Sequence, residues 1–390
     1  MTAGHALAAV LTTAALLGAS APTAGDRALE GSGVVFTVFE NLPPNGACPG
    51  LYAVDAGTRE ISWLGGFDAA TQDFAIYPGF TAAGRLSYGY IDRASNRLPL
   101  LNIYVSDRLV APRGVGYTRP SWSPRREELA FGRLNGGEVE LAIASAAGST
   151  RRVGPPAALW PTWAPDGNGL VYTRGARGPE LLTFVSRDGR NLRNLARNVR
   201  PYPAPQVSPD GKRVAFVRSF AAGTREELWL VATRGGGARR VLGPAGHETL
   251  APVAWLSNRE LLVQNGGRRD TIFDAGDRLV RLDVVTGRTK PFLSHAFGLA
   301  LSPDRSRLLF VRRHLRAGET YYSIRTVGVD GRDEQLLAVT DEEDLNIGSV
   351  PVWKPESASV DWVGDPFPFP QGIDARECVR RVTALRDSTR

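Results

Sequence analysis

The stretch PQVSPDGKRVAFVR, residues 205–218, decides the fold because the chain writes it more than once. PTWAPDGNGLVYTR stands at 161–174 and PSWSPRREELAFGR at 120–133, so the unit returns at intervals of 44 and 41 residues. A period of that length marks a solenoid, a propeller or another array. Within the unit, Val214, Phe216 and Arg218 alternate with Ala215 and Val217, the pattern of a strand with two covered faces. Pro209-Asp210-Gly211 just before it supplies a tight turn, in which aspartate bonds its own backbone. A polar loop follows, then a third strand such as LWLVAT (228–233), a glycine turn, and a fourth such as RRVLG (239–243). Four strands in about 40 to 50 residues make one blade of a β-propeller.

Weaker copies extend the array in both directions. LALSPDRSRLLFVR (299–312) keeps Asp304 in the turn, PVAWLSNRELLVQN (252–265) keeps the tryptophan, and DFAIYPGFTAAGRLSYGYID (73–92) keeps two strands and a turn. GVVFTVFE (33–40), LYAVDAG (51–57) and EISWLGG (60–66) read as second, third and fourth strands that lack a first. The missing inner strand is expected from SVPVWKPE (349–356) at the far end, which would close the ring and remove its exposed edges. Inner strands centred on Ile76, Trp122, Trp163, Val207, Trp255, Leu301 and Trp353 give an all-β, seven-bladed propeller of four-stranded antiparallel blades. An irregular unit at 73–92 would reduce the count to six. Four of the eight tryptophans fall in that inner slot and read as wedges between blades.

The SPDGKRVAF core (208–216), its Pro-x-Trp-Ser-Pro opening and the turns at Pro165-Asp166-Gly167, Pro209-Asp210-Gly211 and Pro303-Asp304 resemble the TolB-like family of WD-type propellers. The resemblance runs from about residue 34 to 355. It implies the fold, and a propeller that serves as a platform for protein contacts in the cell envelope. The α/β domain that precedes the propeller in the family's namesake has no room here, and the blade count read is seven rather than six. The fold and the binding-platform expectation are therefore what carries over.

The first residues point the same way about location. Residues 1–24 carry no formally charged side chain, and 6–18 form an apolar run with the length of a secretory h-region, short for a membrane span. Ala19-Ser20-Ala21 offers a cleavage site, so an exported chain is expected: secreted, periplasmic or envelope-associated, with no span in its mature part. Domain boundaries follow as signal 1–24, propeller 30–356 and a tail 357–390 packed on the propeller surface. Cys48 and Cys378 are the two cysteines; they allow one bridge stapling the tail to the first blade, or two unpaired thiols.

A search for chemistry returns little. No Gly-x-Ser-x-Gly elbow is present, and His247, His295 and His314 adjoin no nucleophile motif. No catalytic residue, cofactor or metal is assigned. The acidic run TDEED (340–344) lacks the spacing of a calcium loop and reads as solvated. An enzyme acting on a small substrate in the central channel, near His295 and that run, is the runner-up, and an inert spacer the third reading.

One pattern stands out. The formal net charge is +7, and lysine occurs only at Lys212, Lys290 and Lys354, so the basic charge is arginine. Arg133, Arg174, Arg218 and Arg312 are expected to end the second strand in four blades, with Arg313 beside the last. Loops after second strands and loops entering first strands emerge on one face of a propeller, which would bring these arginines together with Arg119, Trp160 and Tyr202. Converging guanidinium groups would attract an anionic partner in a salt-sensitive way. The expected partner is an envelope protein or an anionic polymer or peptide, not nucleic acid, recognised without catalysis. The competing expectation pairs each arginine with a nearby acid such as Glu138, Glu180 or Glu226.

Overall fold

The computed structural model describes residues 33–38, 50–68, 73–92, 100–106, 108–115, 119–156, 158–175, 180–200, 203–220, 225–245, 249–266, 278–316, 319–341 and 351–354. The segment expected as a signal, the tail, both cysteines, Tyr202 and most of the acidic run lie outside them.

Seven four-stranded antiparallel blades form a ring. Blade 5 shows the unit in full: Gln206–Val207 lies innermost, then Arg213–Phe220, Arg225–Ala232 and Arg239–Ala245 outward. Blades 4, 6 and 7 repeat this order beginning with Ala158–Trp163, Leu250–Trp255 and Ala296–Leu301. Blade 3 begins at Ser121–Trp122, and blade 2 at Asp73–Phe80; the unit at 73–92 forms the first two strands of a four-stranded blade, so the count of seven stands. A single pairing of Arg133 with Gly114 joins the sheets of blades 2 and 3.

The ring closes as the split first unit requires. Val352–Lys354 pairs antiparallel with Gly33–Val38, Trp353 opposite Val34, and so becomes the inner strand of blade 1. Chain ends far apart in sequence thus share one sheet, and Gly33–Val38 is paired along both edges.

Each seam between blades holds its own apolar cluster, because alternation along every strand sends side chains to both blade faces. Seven clusters fill the seven seams. Val35, Leu51 and Tyr88 belong to the seam of blades 1 and 2, and Phe36, Leu309 and Trp353 to the closing seam of blades 7 and 1.

The inner-slot tryptophans are seam wedges with a polar tie. The indole Nε1 of Trp163 donates to the Ser121 carbonyl at 2.8 Å, that of Trp255 to Gln206 at 3.2 Å and that of Trp353 to Ala300 at 3.0 Å. Each acceptor lies one residue before the equivalent slot of the preceding blade. A buried indole needs such a partner for its N–H. Trp122 differs, donating to the Ser87 hydroxyl at 2.5 Å. The turn aspartates behave as read: Asp210 accepts from the Ser208 hydroxyl at 2.6 Å and the Lys212 amide at 3.1 Å, and Asp304 repeats this with Ser302 and Ser306.

Candidate functional site: the arginine seams

The repeated arginines share one register, two residues after the aromatic of the second strand. Phe131–Gly–Arg133, Tyr172–Thr–Arg174, Phe216–Val–Arg218 and Phe310–Val–Arg312 superpose as Ar-x-Arg. Those aromatics pack into the seam with the preceding blade, as Phe131 does against blade 2 and Phe216 against blade 4. Strand alternation sends the arginines to the same side. Only Arg174 ends its strand; the strands of Arg133, Arg218 and Arg312 run on to Asn135, Phe220 and Arg316. The hairpins continue past the arginines because their polar residues still pair across the ladder. The guanidinium groups therefore start inside the seams rather than at loop tips.

Their partners differ from blade to blade. In blade 3, Gly136 and Gly137, at φ 57° and 86°, make the tight hairpin turn that places Glu140 opposite Arg133. Arg133 Nε donates to Glu140 Oε1 at 2.8 Å, and Arg152 lies 3.6 Å from the other oxygen. Burial alone would raise the Glu140 carboxyl, but the bond and charge of Arg133, with Arg152 behind, hold it below its ordinary range. Blade 5 repeats this set as Arg218, Glu227 and Arg240, with one change: Trp229 stands where blade 3 has Ala142. The indole donates to Glu227 Oε2 at 3.1 Å, and Arg240 and Arg225 take Oε1. Arg218 is left lying over the Trp229 ring, 4.1 Å from its centre, and 5.7 Å from that of Phe216. Among the described residues it makes no ion pair; its Nε is buried without a partner, and burial lowers its pKa.

The other two positions separate in the same way. Arg312 is neutralised by Glu334, at 2.5 Å, which Arg325 also holds at 2.8 Å. The Arg174 side chain makes no ion pair or hydrogen bond among the described residues, although its backbone pairs in the ladder. Close to it in sequence, Glu180 has its carboxyl raised by burial, which the Arg200 charge opposes. Arg200 itself pairs with the buried Glu226, whose second oxygen accepts the Leu250 amide at 2.8 Å.

Trp160 is not in an entry loop: it belongs to the inner strand Ala158–Trp163, at φ 54° just before Pro161. Arg119 is half-buried immediately ahead of the inner strand of blade 3. Of the acids expected as partners, Glu226 takes Arg200 and not Arg218, and Arg133 takes Glu140 and not Glu138. The Glu140 pairing was open to a reader who counted outward from the Gly136-Gly137 turn. The Trp229 substitution within the repeat was equally visible, but its effect on Arg218 was not. Among the described residues no group of histidine, cysteine, aspartate and glutamate side chains is placed to hold a metal ion.

Fold and site together define a seven-bladed propeller of four-stranded blades with cation-bearing seams. No protein-family model matches the chain, and no curated protein matches it. Solved structures do. TolB from Acinetobacter baumannii is 13% identical with a TM-score of 0.46, over 83% of this chain and 83% of that one. The putative TolB from Agrobacterium tumefaciens is 12% identical with a TM-score of 0.44, over 83% and 97%. An oligogalacturonate lyase in complex with manganese is 13% identical with a TM-score of 0.47, over 71% and 75%. TolB structures thus stand among those this chain is similar to, as the repeated motif suggested.

Proposed function

We propose that this propeller is an exported, non-catalytic binding platform. It recognises an anionic partner, an envelope protein or an acidic polymer, on the face that carries the second-to-third strand hairpins. Arg174 and Arg218 are its centre, flanked by Arg119 and Trp160. One observation carries the reading. Adjacent blades 4 and 5 hold two arginines in a shared register with no carboxylate bond among the described residues, whereas the equivalents Arg133 and Arg312 are neutralised. Cations left unpaired among the described residues are open to an external anion, and a guanidinium already stacked on indole keeps its planar donors oriented.

The test is affinity capture from a cell-envelope extract across a salt gradient, with wild type beside Arg174→Ala/Arg218→Ala. Arg133→Ala serves as the internal comparison. The double variant is expected to release its partner at markedly lower salt, while Arg133→Ala elutes near wild type and loses stability instead, since it leaves the buried Glu140 with only the more distant Arg152 as a cation. Equal retention by the double variant would overturn the assignment of the site, and no retained partner at all would overturn the platform and favour an inert spacer.

A further inference from the structure

The opposite face of the ring carries the first-to-second and third-to-fourth strand turns, and there neighbouring blades are laced by arginine. At the start of the fourth strand of blade 3, Arg151 donates to the Arg187 carbonyl of blade 4 at 2.7 Å. Arg239 of blade 5 does the same to Val284 of blade 6, at 2.6 Å. Both acceptors occupy one position in the third-to-fourth turn, fixed by the amide bonds Arg187 to Asn168 and Val284 to Arg259. Blade 5 has the same position in Thr233, whose amide bonds the Lys212 carbonyl at 3.0 Å.

The seam of blades 4 and 5 breaks the pattern. Arg193, opposite Phe184, stands in the register that Arg151 takes opposite Ile143 and Arg239 opposite Leu230. Where those two blades have an aliphatic residue, blade 4 has an aromatic, and the Arg193 guanidinium lies 4.7 Å over the Phe184 ring. Among the described residues no arginine reaches the Thr233 carbonyl as Arg151 reaches that of Arg187 and Arg239 that of Val284. A cavity of about 380 Å³ opens beside it, with Pro165, Asp166, Phe184, Pro209, Asp210 and Thr233 in its wall. Arg125 of blade 3 lies at the far end of that wall, two blades from Thr233.

The wall offers a carbonyl and two carboxylates as acceptors, with two prolines and a phenyl ring to cover an aliphatic stem. Asp210 stays ionised: burial raises its carboxyl, but the Ser208 hydroxyl and Lys212 amide more than offset this. A guanidinium on a three-carbon stem matches both needs, and the molecule itself satisfies the equivalent carbonyls in the adjoining seams with arginine. We infer that this cavity receives an arginine side chain from an extended basic segment of a partner protein, bonded to the Thr233 carbonyl and the Asp210 carboxylate. The site lies on the face opposite the anion-binding seams, so either can fail without the other.

The probe is a short capped peptide with one arginine among glycines and alanines, compared with the same peptide carrying citrulline. Binding is read by titration calorimetry and by amide shifts of Gly211 and Thr233. The arginine peptide is expected to shift those amides and the citrulline peptide to bind at least tenfold more weakly. Asp210→Asn is expected to weaken the arginine peptide by a similar factor. Phe184→Leu, which restores the residue type found opposite Arg239, should let Arg193 reach Thr233 and abolish binding while the ring stays folded. Equal binding of the two peptides, absence of shifts at Gly211 and Thr233, or full binding by a folded Asp210→Asn variant would overturn the inference.

Discussion

A single residue change inside the repeat alters the state of a neighbouring charge. Ala142 in blade 3 leaves room for Arg133 to reach Glu140, whereas Trp229 in blade 5 takes the carboxylate with its own N–H and offers its ring to Arg218. A cation over an indole face is held by about 0.5–2 kcal/mol, enough to fix it without neutralising it. The seam of blades 6 and 7 holds a second tuned group. Arg325 Nε donates to the Ser323 hydroxyl at 2.8 Å, and that hydroxyl shares a second hydrogen bond with His314 Nε2, 2.7 Å away. The His314 ring also stacks on Tyr321, with centroids 4.6 Å apart. Burial lowers its pKa to about 4, helped by Arg325 and Arg312 and opposed by Glu334. An unfolded histidine titrates near ~6.5. The folded state binds fewer protons, so this contribution is complete above that value and is lost as pH falls through the window down to about 4. Urea midpoints of wild type and His314→Phe measured from pH 7 to pH 4.5 should converge on acidification, wild type falling faster. A pH-independent difference would show that His314 titrates alike in both states.

At the scale of the element, the inner strand does most to define the blade. Its tryptophan fills the seam and ties it to the preceding inner strand, and its other half carries a bulge. Register breaks fall between Ile76 and Gly79, Leu159 and Thr162, Pro252 and Ala254, and Phe297 and Ala300. Tyr77 and Trp160, at φ 52° and 54°, precede Pro78 and Pro161 in two of them. A bulky residue at positive φ is strained and is kept only where its surroundings over-determine it. The proline positions were legible in the sequence, but the bulge was not, because alternation alone predicts an unbroken strand. The wedge and its tie can be separated by mutation. Trp163→Ala should cost about 3–5 kcal/mol through the vacated seam. Trp163→Phe, which keeps a ring and removes the bond to Ser121, should cost less, near the ~1 kcal/mol of one hydrogen bond plus some packing. Chemical denaturation measures both. Equal losses would assign the effect to the bond rather than to the filling of the seam.

For the whole molecule, stability depends on closure. Every blade leans on two neighbours through a seam cluster, and blade 1 exists only when Val352–Lys354 completes it. A chain ending at residue 348 leaves the Gly33–Val38 edge and the blade 1 seam open, while one ending at 356 keeps the strand and drops only the tail. The shorter chain should melt at lower temperature and self-associate in light scattering, since an open edge pairs with other chains. The longer truncation should behave as the full chain does. If both truncations behaved alike, closure would owe nothing to this strand.

The sequence by itself determined the propeller, the strand order within each blade and the closing strand, and the structure settled the count at seven. Those features rest on period-two alternation and on turn residues such as Asp210 and Gly211, which act over a few positions and recur in register. Only the tertiary structure decided which arginines are neutralised, that Arg193 turns onto Phe184, and that a cavity opens between blades 4 and 5. Across a seam the partners lie some forty residues apart, as Trp163 and Ser121 do at a separation of 42. Which of several nearby acids, rings or carbonyls a guanidinium takes depends on the shape of both walls at once. A repeat fixes where the walls stand, and the residues that depart from it fix what lies between them.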